Sequence, residues 1–160
     1  MTRELLATRL ESLLTELHDQ YTAMALQVGL HRSALSCADG RGAEACALAE
    51  AQTLAAIAEL EQRRRELVAA SCTRFPSLGN KMAQTITLSD LAGAVDESQR
   101  PRLLSRAKEV RALIGAVLEQ LRMMKGATRS LLAHMDGLMR QVGKQLSHAC
   151  LLYTSPSPRD

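Results

Sequence analysis

Residues 101–148 read PRLLSRAKEV RALIGAVLEQ LRMMKGATRS LLAHMDGLMR QVGKQLSH. Their apolar side chains fall on one heptad seam: Leu103, Ala107, Val110, Ile114, Val117, Leu121, Met124, Thr128, Leu131, Met135, Leu138 and Val142. The steps alternate four and three, and only Thr128 is polar. A strand requires period two, so the spacing predicts one amphipathic helix of about 45 residues, roughly 65 Å long at the standard rise. A rod of that length needs partner helices along its side, from this chain or from another.

From Leu131 onward the seam widens. Leu132, Met139 and Leu146 lie seven apart and one position beyond it, where Leu118 and Lys125 stand upstream. The face then comprises Leu131, Leu132, Met135, Leu138, Met139, Val142 and Leu146, with Met124 on the same seam one heptad earlier. Four of the seven methionines lie between 123 and 139. Methionine is flexible and polarisable and suits surfaces that accept varied apolar partners. The ordinary reading of the extra width is cover for a third helix of the same chain. The sharper one is a docking face for a foreign helix. Gly115, Gly126, Gly137 and Gly143 fall off the seam, and each costs a helix roughly 1 kcal/mol relative to alanine. So diluted, the rod is expected to be marginal alone and to firm up on binding.

Working back towards the start, the first segment is also helical. Leu6, Leu10, Leu13, Leu17, Tyr21, Met24, Val28, His31 and Leu35 follow four-three steps with one extra four, a stutter that unwinds a coiled coil locally. Asp39-Gly40-Arg41-Gly42 reads as the stop, with glycine ending the helix and a break of four to six residues closing an antiparallel hairpin. A second helix follows, alanine-rich at first and then carrying Leu54, Ile57, Leu60, Leu67 and Val68. Arg63, Arg64 and Arg65 interleave with Glu59, Glu61 and Glu66, which reads as a solvated face rather than a basic patch. Between Cys72 and Arg100 the periodicity lapses at Phe75-Pro76, Gly79-Asn80 and Gly93. Ser89 is placed to cap a short turn holding Leu91 and Ala92. The expected fold is therefore all-α: an antiparallel helical hairpin, a connector over 73–99 with one short helix, and a long C-terminal amphipathic helix. The helices are expected at about 3–37, 43–71 and 101–148, within a single domain over 1–149.

Composition agrees. Aromatic residues make up 2% of the 160, and the apolar content is mainly Ala and Leu, which favours helices over a β-rich core. No transmembrane run and no signal peptide is read, so a cytoplasmic location is expected, without membrane insertion. Residues 1–72 carry seven Lys/Arg against ten Asp/Glu, and 73–149 carry twelve against six. Opposite signs favour packing the last helix on the first two and guide a partner's approach. Cys150–Asp160 resembles a translated sequencing adapter residue for residue, so it is expected to be non-native and the true C-terminus to be missing. Without it three cysteines remain, Cys37, Cys46 and Cys72, in neither a disulfide nor a zinc pattern.

Catalytic patterns are not found. There is no glycine-rich phosphate loop and no Glu-x-x-His pair for a di-iron bundle. His18, His31, His134 and His148 are scattered, so no metal or other cofactor is expected, and no nucleophile–base arrangement can be placed. A non-enzymatic role is expected. Arg100, Arg102, Arg106, Lys108 and Arg111 form a modest cluster, but nucleic-acid binding lacks both aromatics and a concentrated basic stripe.

The order of parts carries a resemblance. A Leu-rich first helix reaches an Asp-Gly break; a second ends in Leu54-x-x-Ile57-x-x-Leu60-Glu61-x-x-Arg64-x-x-Leu67; a Thr87-Leu88-Ser89-x-Leu91 element precedes the long leucine heptad. This arrangement, over nearly all of 3–148, resembles the FlgN family of flagellar export chaperones. The resemblance implies a small helical cytoplasmic protein. It would bind the C-terminal amphipathic helices of hook–filament junction proteins and deliver them to the flagellar type III export apparatus. The residues expected to hold such a client are Met124, Leu131, Leu132, Met135, Leu138, Met139, Val142 and Leu146. The alternative is a structural coiled-coil adaptor whose seam closes on a second copy, as a homodimer or larger oligomer.

Overall fold

A computed structural model describes residues 2–75 and 86–153, with side chains described as far as Ser147. It is all-α. Among the described residues four helices follow in order: α1 (Arg3–Ser36), α2 (Gly40–Cys72), α3 (Leu88–Gly93) and α4 (Arg100–Tyr153). The chain divides into two units, Met1–Leu121 and Arg122–Asp160.

In the first unit α1 begins at Thr2, whose hydroxyl oxygen accepts the Leu5 N–H at 3.2 Å. It ends at Ser36, and α2 returns antiparallel after only three residues. The register is fixed by cross-helix contacts: Glu16 with Arg63, Gln27 with Thr53, and His31 with Glu50. The expected longer break with a glycine stop is corrected here. Ala38 takes the left-handed conformation (φ 55°), and Gly40 belongs to the next helix. Asp39 is that helix's N-cap, its carboxylate accepting the Gly42 N–H at 3.0 Å. A Cβ on Gly42 would lie 2.2 Å from Asp39 Oδ2, the mobile end of the capping side chain, so a larger residue there would make the carboxylate turn aside.

The core sits at the end of the hairpin nearer the N-terminus. Leu6, Leu10, Leu13, Leu14 and Leu17 of α1 meet Leu60, Leu67 and Val68 of α2. Leu91, Ala92 and Val95, together with Leu103, Ala107 and Val110 of α4, close the cluster. The short α3 is capped by Thr87, not by Ser89 as the sequence reading placed it. Thr87 and Asp90 form a reciprocal capping box, Asp90 accepting the Thr87 N–H at 2.8 Å. A threonine followed three residues later by an acid satisfies two free N–H groups, which Ser89 has no partner to do. Ile86 and Thr87, the first described residues after Phe75, lead into α3. Arg102 pairs with Glu11, and Arg3 lies 3.6 Å from Asp96, so α4 starts beside the first turns of α1 and runs in the same direction.

The other end of the hairpin is thinner. Met24, Val28, Thr53 and Ile57 are buried there, and polar pairs complete the interface. Thr53 donates to Gln27 Oε1, and His31 Nδ1 lies 2.9 Å from Glu50 Oε1. α4 itself continues to Tyr153, five residues beyond the expected end, because nothing between His148 and Tyr153 is Gly or Pro.

The Glu16–Arg63 bridge gives a pH test. The Arg63 hydrogen bond, helped by the Ser12 hydroxyl, holds the Glu16 carboxyl below its ordinary value of 4.5. A carboxyl depressed in the fold adds stability above its unfolded pKa and loses it as pH falls through the lower folded value. The denaturant midpoint is expected to drop as pH falls below 4.5, and to drop less steeply in Glu16→Gln. Both groups are substantially exposed, so the difference between the two slopes is small.

Candidate helix-docking face

α4 spends its seam unevenly. In the first unit Leu103, Ala107, Val110 and Val117 are buried. In the second unit every described residue from Lys125 to Ser147 is exposed. The residues expected to hold a client all lie in this second unit, on one stripe. Leu131, Leu132, Met135, Leu138, Met139, Val142 and Leu146 range from 49% exposed at Leu138 to 72% at Met139, with Met124 half-buried. The widened seam is thus exposed along its described length. Thr128, the one polar seam residue, donates its hydroxyl to the Met124 carbonyl at 3.0 Å, so it asks nothing of a partner.

The borders of the stripe differ. One border holds Ala127, His134 and Gln141, none of them formally charged at pH 7. The other starts with Lys125, on the line of Leu132, Met139 and Leu146, and continues with Arg129 and Asp136. Asp136 is answered by Arg140 at 2.5 Å. Gly126, Gly137 and Gly143 face open space, and a Cβ at each would meet nothing within 4 Å. Their expected off-seam placement holds, and close packing does not explain them.

Elsewhere, several polar side chains pair with one another. The cleft between α1 and α2 is lined by Arg9, Ser12, Leu13, Arg63, Glu66 and Leu67. Its Ser12 hydroxyl donates to Glu16 at 2.7 Å, and Arg63 binds the same carboxylate. The three arginines of α2 divide their work. Arg63 crosses to α1, Arg64 reaches Glu61 and the Ile86 carbonyl, and Arg65 bonds Gln62. In the cluster opening α4, Arg102 pairs with Glu11 and Arg106 with Glu109. Among the described residues no group of three or more His, Cys, Asp or Glu is placed to hold a metal ion. None of the described helices is long and apolar enough to cross a membrane.

One apolar feature escaped the sequence reading. Leu26, Leu30 and Leu48 are exposed on the thin end of the hairpin, together with Leu54, which the sequence had placed among the apolar positions of the second helix. Leu26 and Leu30 are four apart and off the main seam, and that spacing was the available signal. No family model, curated protein or solved structure matches the chain.

Two outcomes follow from this geometry. Leu14→Ala should cost about 2–5 kcal/mol in denaturant unfolding, whereas Leu138→Ala with Met139→Ala should stay within about 0.5 kcal/mol for each change. Combining Gly126→Ala, Gly137→Ala and Gly143→Ala should add helix stability of up to about 1 kcal/mol per site, read by circular dichroism on warming.

Proposed function

We propose that this protein is a cytoplasmic flagellar type III export chaperone. Its α4 stripe, centred on Leu131, Leu132, Met135, Leu138, Met139, Val142 and Leu146, receives the C-terminal amphipathic helix of a hook–filament junction protein. Covering that helix prevents premature assembly until the client reaches the export apparatus. The observation carrying this reading is the exposed apolar stripe of the second unit, offered on a helix whose own backbone bonds are satisfied. A contiguous exposed apolar patch is a mark of an interaction surface. Helix-in-groove recognition uses side chains at this spacing. The resemblance in the order of helices supplies the client class. Methionines at 124, 135 and 139 suit more than one client sequence. Release at the export gate requires a moderate rather than an obligate interface.

The second reading, a structural adaptor closing on another copy, is favoured by the length of the α4 seam itself. Light-scattering mass separates the two. A monomer that forms a discrete complex with a junction protein's C-terminal helix supports the chaperone. A client-free dimer or tetramer that ignores the helix supports the adaptor. Leu138→Asp combined with Met139→Asp should abolish the client complex while leaving helix content largely intact. Global unfolding of that variant would show the stripe to be core.

A further inference from the structure

We propose that the helix docked on α4 carries an acidic edge, placed against Lys125 and Arg129. The inference rests on the docking role just proposed and names the chemistry of the occupant. Between 122 and 147 the helix carries Arg122, Lys125, Arg129, Arg140 and Lys144 against the single acid Asp136, a net +4. Asp136 and Arg140 neutralise one another. Lys125 and Arg129 make no ion pair among the described residues, and both stand on the stripe's border. Lys125 occupies the position that Leu132, Met139 and Leu146 fill in the next three heptads. Arg129 is three residues before Leu132 and four after Lys125, on the same side. An incoming helix that covers Leu132 and Met139 brings its own border alongside these two cations. The opposite border, Ala127, His134 and Gln141, asks for no formal charge at pH 7.

Other occupants fit less well. A second copy of the 122–147 segment would bring another net +4 to the interface, and like charges across an interface count against pairing. An anionic bilayer would attract the charge. Leucine can enter its surface, but the aromatic residues that strengthen such anchoring are missing from residues 101–149.

The test uses the full chain and two synthetic amphipathic peptides of roughly 20 residues, identical in their apolar stripe. One carries glutamates along a border and the other lysines. Binding is read by anisotropy of the labelled peptide. The acidic peptide is expected to bind about tenfold tighter at low salt, with the ratio falling towards one at about 0.5 M salt. Lys125→Glu with Arg129→Glu should reverse the preference without loss of helix content. Equal binding of both peptides at low salt would overturn the acidic edge and leave the docking face standing. Binding of neither, at any salt, would overturn the docking reading itself. Tighter association with phosphatidylserine vesicles than with the acidic peptide would assign the face to a membrane surface and overturn the proposal.

Discussion

The packing of Leu103, Ala107 and Val110 against the leucines of α1 is the contact on which the rest depends. A two-helix hairpin buries one stripe on each helix and leaves the flanks of the seam wet. The first turns of α4, with Leu91, Ala92 and Val95, supply the third wall. Where that wall is present, Leu6, Leu10 and Leu14 lose all their solvent exposure. Where it is not, the hairpin relies on His31–Glu50 and Gln27–Thr53, and Leu26 and Leu30 remain open. The small α3 matters beyond its length. Its capping box fixes where it begins, and Arg64 reaches the Ile86 carbonyl just before it.

The same heptad thus does two kinds of work. Up to Val117 its apolar side chains are core, and from Leu131 onward they are surface. Burial is worth roughly 1.5–3 kcal/mol for a side chain the size of leucine, so seven exposed apolar residues on one stripe hold a large unused interaction free energy. Glycines on the solvent side keep this segment from being rigid by helix propensity alone. A helix that is apolar on one stripe and diluted on the other is suited to ordering when the stripe is covered.

Periodicity carried most of the fold. The four-three steps placed the first and last helices, and the apolar positions from Leu54 to Val68 placed the second, because phase is a local property of the sequence. The turn at residues 37–39 was less legible, since an Asp-Gly pair reads equally as the end of one helix or the cap of the next. Only the geometry shows Asp39 capping forward while Ala38 takes the left-handed position. Ser89 and Thr87 are both good caps, and Asp90 decided between them through its bond back to Thr87. For the candidate site, the stripe from Leu131 to Leu146 was fully visible in sequence. Whether anything in the chain covers it was not, because a heptad specifies a face and not its occupant. The polar pairs across the thin end of the hairpin were invisible for a related reason: residues such as Gln27 and Thr53 are 26 apart in sequence and carry no periodic signal.

Hydrogen exchange on the client-free chain tests most directly the claim that α4 is core in its first part and an open face in its second. Amides at 6–17, 60–71 and 103–117 should exchange only through global unfolding, as core segments do. Amides at 126–147 should exchange about a hundredfold faster or more, through local opening of a helix with no covered face. Protection continuing at the core level through Leu146, in the absence of any client, would contradict the account. It would mean that the stripe is already buried in the free protein.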